Sequence, residues 1–385
     1  MKKQKDQPKS IDVADIIAQI RAAGLHPPET MTLMVTDGCN LRCRHCWLDC
    51  RSLEKATRVA TSKIQRVIDE FDHLGGRHIN LTGGEILSHP GWQRILQFCF
   101  SHTRINTVCL QTNATLITRK HLGALLDFPP ARLKIQVSLD GAGARTHDLV
   151  RGPGSFGRAM AGLRLLVEGG LGLQTQVAFT EMAHNFSELP QLLESLNKMG
   201  IGRLISSTLV KGGRANESAH INLPTPSQYW ELVHLYQTDA GFRQIYDQIA
   251  NFAAIEWFKN RSETTDSKCG CLKDLFVDSR GYLYPCTMLL LDRYASESVY
   301  TQPLDQIIRK SLGRWREIPI LSHLRKSVLQ PCSRCANKDH CGGGCMGRAA
   351  SSGGELMTPE DRCALRKAVY HWTELPSVGS FCCGR

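Results

Sequence analysis

Residues 31–50 read MTLMVTDGCNLRCRHCWLDC, and the reading of this stretch decides the fold. MTLMVT is a short apolar, β-rich run and reads as a strand, and the loop directly after it carries Cys39, Cys43 and Cys46. The spacing lets one tight turn aim three thiolates at a common centre. A structural zinc or a closed four-iron cluster takes four protein ligands, whereas three leave one metal position for a reactant. Cys50, four residues on, is either a fourth ligand or a buried free thiol, and both readings stay open.

Working outward, residues 12–23 place Ile16, Ile17 and Ile20 at helical spacing behind Asp12 as a cap, and Gly24 ends that helix. Downstream, Ile64, Val67, Ile68, Phe71 and Leu74 share one face of a helix over 62–74 that stops at Gly75 and Gly76. Strands are expected at 78–82, 106–111, 133–139, 173–180 and 203–208, with amphipathic helices between them. Six alternating units argue for a parallel sheet wrapped by helices, an open or partial barrel, since a full barrel needs eight. In such folds chemistry sits at the carboxyl ends of the strands. A polar stretch at 213–226 precedes a helical run from Gln228 to about Phe258, and cysteine density rises from Cys269. The expected boundaries are a tail and short helix over 1–28, a core over 29–215, a helical connection over 216–264, a cysteine-rich domain over 265–375 and a tail over 376–385.

Motifs follow the strands in order. Gly83-Gly84-Glu85 follows the second, Asn113 the third, and VSLDG at 137–141 ends the fourth, with Arg151 in the segment beyond. Together with the Cys39, Cys43 and Cys46 loop, these resemble the radical S-adenosylmethionine superfamily. The resemblance implies an α/β fold, a partial (β/α)6 TIM-like barrel, with a 4Fe-4S cluster on the three cysteines that binds S-adenosylmethionine. It implies cofactor contacts from Gly83, Gly84, Glu85, Asn113, Ser138 and Asp140. Arg151 joins them as a planar fork suited to a carboxylate. Paired glycines let a ligand approach the main chain. Ile86 stands where the family has proline, and Ala114 where it has glycine.

The later cysteines are spaced more specifically. Cys271 is followed by nine residues, Gly281, four residues and Cys286; Cys332, Cys335, Cys341 and Cys345 follow with gaps of two, five and three, and Cys363 closes the series. This is similar to the signature of SPASM domains, the small cysteine-rich modules of peptide-modifying radical enzymes. The resemblance implies two auxiliary 4Fe-4S clusters, one on Cys271, Cys286 and Cys345 with Cys269 as candidate fourth ligand, the other on Cys332, Cys335, Cys341 and Cys363. Spacing alone leaves a pair of structural zinc ribbons open, because thiolates suit both metals. Cys99 and Cys109 fall within apolar runs and read as core, while Cys382 and Cys383 have no assigned role.

Composition sets the remaining expectations. With 42% apolar and 22% charged residues the chain is globular, and its 16 cysteines point to metal ligation in a reducing cytoplasm. No signal-like or membrane-length apolar run follows the basic segment Met1 to Ser10. The formal charge of +11 falls once thiolates on anionic clusters are counted, so nucleic acid is not an expected partner. The family resemblance implies reductive cleavage of S-adenosylmethionine to a 5′-deoxyadenosyl radical that abstracts hydrogen from a substrate, with a flavodoxin- or ferredoxin-type electron donor. A ribosomally made peptide is the expected substrate. A small molecule in cofactor or secondary-metabolite synthesis is the alternative, and a non-catalytic zinc-binding protein is the reading from another class. Thr287 stands where sulfatase-maturating relatives carry an aspartate base, which argues for other peptide chemistry. Only about 28 residues precede the first strand, so a peptide substrate is expected to need either a separate peptide-recognition adaptor or direct docking in the barrel mouth.

Overall fold

The computed structural model describes residues 13–218, 221–264 and 269–371. The basic N-terminal run, Asp12, Cys382 and Cys383 lie outside them. Six parallel strands form the centre of one sheet: β1 (Thr30–Met34), β2 (His78–Thr82), β3 (Thr107–Thr112), β4 (Leu133–Ser138), β5 (Thr175–Glu181) and β6 (Arg203–Thr208), paired in that order. Their inward residues Leu33, Leu81, Leu110, Val137, Val177 and Leu204 are buried, which is why each strand is legible as an apolar run. Helices cover the outside. Among them, α1 (Val13–Ala22) buries Ile16 and Ile20, and α2 (Thr61–His73) buries Ile64, Val67, Ile68 and Phe71. A Cβ on Gly76 would meet the Phe71 ring at 2.3 Å, so α2 needs glycine where it turns into β2.

The sheet extends beyond these six strands. On one side β7 (Ala250–Asn251) pairs with β6; on the other β8 (Asp274–Val277) runs parallel to β1, and β9 (Leu283–Tyr284) returns antiparallel. The first hairpin of the cysteine-rich segment therefore belongs to the barrel sheet. Because β9 and β7 end the nine-strand order without pairing, the barrel stays open.

The expected helical run over 228–258 is broken into α3 (Pro226–Thr238), α4 (Ala240–Ile249) and α5 (Ala253–Lys259). Asp239 causes the first break: its carboxylate accepts the Phe242 N–H at 2.9 Å and caps α4. After α6 (Leu304–Trp315) comes a helix that periodicity did not indicate, α7 (Glu317–Val328). It buries Ser322 and Arg325 beside Ile318 and leaves Ile320, Leu324 and Val328 exposed, so apolar and polar residues are mixed on both faces. Short helices α8 (Met346–Gly353) and α9 (Cys363–Tyr370) complete the described chain. No described helix is long and apolar enough to cross a membrane.

Candidate active site

The cysteine loop leaves the carboxyl end of β1 and is clamped from three sides. Gly38 cannot carry a side chain, since a Cβ would lie 2.4 Å from that of Ala56. Gly84 N–H donates to Thr36 O and Glu85 N–H to Gly38 O, both at 2.8 Å. A Cβ on Gly84 would meet Gly38 O at 2.3 Å, and one on Gly83 would meet Thr36 O at 2.8 Å. These glycines are thus required by backbone packing against the cysteine loop, in addition to lining the cavity beside it. From the third side Arg214, in the turn after β6, donates from Nε to Cys43 O at 2.9 Å and from Nη1 to Cys50 O at 2.9 Å and Asp49 Oδ1 at 2.7 Å. Arg214 fell inside the polar stretch at 213–226, and no sequence pattern marks it.

Cys39, Cys43 and Cys46 open on a cavity of about 320 Å³, whose wall also carries Gly83, Gly84, Asn113, Ser138 and Arg151. Glu85 and Asp140 are fully buried and lie behind that wall. Glu85 accepts Leu87 N–H at 3.0 Å, Thr112 Oγ1–H at 2.7 Å and Asn113 N–H at 2.7 Å, tying the loops after β2 and β3 together; burial raises its pKa. Asn113 in turn donates from Nδ2 to Asn40 Oδ1 at 2.9 Å and sits 3.8 Å from Cys39 Sγ. Ala114, which replaces the family's glycine, is held at φ 60, the left-handed region glycine adopts freely.

Asp140 is the second strut. It accepts Arg151 Nε–H at 2.6 Å and Thr180 N–H at 2.8 Å, and its Oδ2 lies 3.1 Å from His45 Nε2. Burial alone would raise its pKa, but Arg151, His45 and the Thr180 N–H outweigh it and hold the carboxyl well below the usual range. His147, pushed down to about 4 by burial and the Arg151 charge, stays neutral, and its Nδ1 accepts the Asp140 N–H at 3.1 Å. Asp140 thereby aims Arg151 and His45 at the cavity without reaching it. Both the Glu85 and the Asp140 carboxylates are engaged by neighbouring loops. His45, which lines the cavity between Cys43 and Cys46, was missed although it lies within the motif.

The thiols suit an iron–sulfur centre. Burial pushes Cys39 up to about 12, so a bound cation is what would keep it a thiolate. Cys50 is buried against Cys46 and hydrogen-bonds to it, which lowers the Cys46 pKa. All fourteen cysteines among the described residues are free thiols. The eight later ones sort into two groups. Cys269, Cys271, Cys286 and Cys345 lie within electrostatic reach of one another, as do Cys332, Cys335, Cys341 and Cys363. The second four line one small cavity together. Among the described residues no three metal-ligating side chains converge as a single ion would require, and a multi-iron cluster holds its thiolates further apart.

The first four have a distinct place. Cys271 and Cys286 flank the open end of the β8–β9 hairpin, where Leu272 N–H donates to Pro285 O at 2.8 Å. Cys345 begins α8, which Arg348 ties to the far side of the sheet by donating to Thr208 O at 3.0 Å and to Leu209 O. The group thus bridges the two sides of the open sheet.

An open three-thiolate centre at the strand ends of an unclosed parallel barrel, with eight further thiols in two fours, defines an enzyme of radical S-adenosylmethionine type with a SPASM-type C-terminal region. Residues 33–207 match the family described as the Radical SAM superfamily. It is similar to an AdoMet-dependent heme synthase of Methanosarcina barkeri (strain Fusaro / DSM 804), 28% identical over 88% of this chain and 97% of the relative. It is also similar to the mycofactocin maturase MftC of Mycobacterium ulcerans (strain Agy99), 25% identical over 88% of this chain and 89% of that protein. Among solved structures, native anSMEcpe with bound AdoMet shares the fold at a TM-score of 0.69 and 17% identity, covering 90% of this chain and 97% of that one. Streptococcus suis SuiB bound to S-adenosylmethionine does so at 0.69 and 15%, covering 90% and 80%.

Proposed function

We propose that this chain is a maturase that modifies a ribosomally made peptide by radical chemistry. The observation that carries the reading is the three-thiol loop over the 320 Å³ cavity, accompanied by two separate four-thiol groups. Cys39, Cys43 and Cys46 would hold the cluster that binds S-adenosylmethionine, with Gly83, Gly84, Asn113, Ser138 and Arg151 in the cofactor-binding wall. Cys269, Cys271, Cys286 and Cys345 would hold one auxiliary cluster, and Cys332, Cys335, Cys341 and Cys363 the other. When bound, the cofactor and its cluster supply a 5′-deoxyadenosyl radical for hydrogen abstraction. The protein's own work is positional. Arg214 and Gly84 hold the cysteine loop, Glu85 joins it to the loop after β3, and Asp140 aims Arg151. The walls limit water access to a reactive species.

A low-potential flavodoxin- or ferredoxin-type protein would deliver the electron, a separate adaptor would present the peptide, and free thiols suit a reducing cytoplasm. Similarity to the heme synthase, 28% identical across most of the chain, favours a second reading: oxidation of a small molecule such as a tetrapyrrole. The test is anaerobic incubation of reduced protein with S-adenosylmethionine and the peptide encoded beside it. Loss of two hydrogens from the peptide supports the first reading; an unaltered peptide with turnover of a tetrapyrrole selects the second. Cys43→Ala should abolish deoxyadenosine formation in either case, and wild-type rates in that variant would remove the radical assignment.

A further inference from the structure

Helix α7 points Arg325 inward, and its side chain is completely shielded from solvent. Nε and Nη2 donate to Gly343 O at 3.2 and 2.8 Å, Nη2 also to Thr358 O at 2.9 Å, and Nη1 to Leu356 O. Every acceptor is a neutral carbonyl. Hydrogen bonds of this kind satisfy the donors but leave the charge uncompensated, and an unpaired buried charge is strongly unfavourable.

The surroundings offer no spare carboxylate among the described residues. Asp361 is held by Arg348 through two contacts of 2.9 Å, and Glu360 is shared by Arg362 and Arg366. Arg325, Arg348, Arg362 and Arg366 thus face Glu360 and Asp361, and two guanidinium charges are left over. Besides Glu360, already shared by two arginines, Cys332, Cys341, Cys345 and Cys269 lie within electrostatic reach of Arg325, and these thiols belong to both four-thiol groups. Gly343, its principal acceptor, stands two residues from Cys341 of one group and two from Cys345 of the other. A Cβ there would come within 2.8 Å of Arg325 Cβ, so the close approach needs glycine.

We infer that Arg325 is a shared counter-charge wedged between the two auxiliary cluster sites, and that it raises the reduction potential of both. The inference rests on the auxiliary-cluster reading above. A cluster on four thiolates is anionic, and one-electron reduction adds another negative charge with no bond made or broken. A buried cation beside it stabilises the reduced form. Arg325 would therefore act as a positioning residue for charge beside the two auxiliary cluster sites.

The test is an anaerobic potentiometric titration of the full-length reconstituted protein, followed by electron paramagnetic resonance, on the wild type, Arg325→Met and Arg325→Lys. In Arg325→Met both auxiliary clusters should become at least about tenfold harder to reduce, roughly 59 mV lower for a one-electron couple, with the S-adenosylmethionine-binding cluster unmoved. Arg325→Lys should recover most of the shift. Loss of auxiliary iron in the methionine variant but not in the lysine variant supports the same role. Full iron with unshifted potentials in Arg325→Met overturns the inference, as do equal losses in both variants, which would mark Arg325 as a hydrogen-bonding scaffold only. Wild-type protein with roughly four irons instead of twelve would sink the auxiliary-cluster reading itself, whatever Arg325 does.

Discussion

The segment from β1 to β6 and the segment from Leu329 to His371 both gather cysteines, by opposite means. In the first, three thiols sit on one loop, and that loop is fixed by parallel strands whose inward side chains are buried hydrocarbon. In the second, thiols come from separate turns and short helices, with buried arginines and carboxylates between them and Gly342, Gly343 and Gly344 all at positive φ. The difference teaches that the radical site is preorganised by the hydrophobic core, whereas the C-terminal site would depend on the charge and bonding of the clusters proposed for it.

Removing iron should break that symmetry most visibly. Chelation under reducing conditions is expected to lower amide protection across 329–371 by roughly a hundredfold or more while β1 to β6 stay protected, as hydrogen exchange would report. Equal protection in both segments with and without iron would dissolve the distinction. Next in size is Asp140→Asn. It leaves Arg151 buried without its carboxylate and should cost about 3 kcal/mol in chemical denaturation while weakening S-adenosylmethionine binding. A variant as stable as the parent would show that the strut is dispensable.

Gly84→Ala sharpens the comparison from the barrel side. Its new methyl group meets Gly38 O, an immovable backbone atom, so a loss of about 1–3 kcal/mol is expected in thermal or denaturant unfolding. No comparable loss should follow alanine at Gly354, around which nothing lies within 4 Å, beyond the strain of its positive φ. The smallest effect is Ala114→Gly, where relief of left-handed strain and added freedom of the unfolded chain oppose each other. Stability should change by less than about 1 kcal/mol in either direction.

Much of the architecture was legible because the six central strands are apolar and their helices amphipathic. β7 and β9, two residues each, are too short to leave a periodic trace, and β8 is hidden between cysteines. α7 escaped because its inward face carries Ser322 and Arg325, a charge whose reason lies in tertiary neighbours. At the site, the cysteines and Gly83 and Gly84 could be read from type and spacing. The roles of Glu85 and Asp140 could not, because sequence reports that a carboxylate is present but not that it is buried behind the wall. Arg214 acts across more than 160 residues of chain, a partnership no local pattern encodes.

The pairing of β8 with β1 also governs how the molecule is made. β1 is synthesised well before residues 274–277 and their hairpin partner, so one of its two edges waits for them. Until then the nascent chain carries an apolar strand with one side open, the kind of edge that recruits foreign strands. If Cys271 and Cys286 hold a cluster as proposed, the same hairpin would join closure of this sheet edge to assembly of that site.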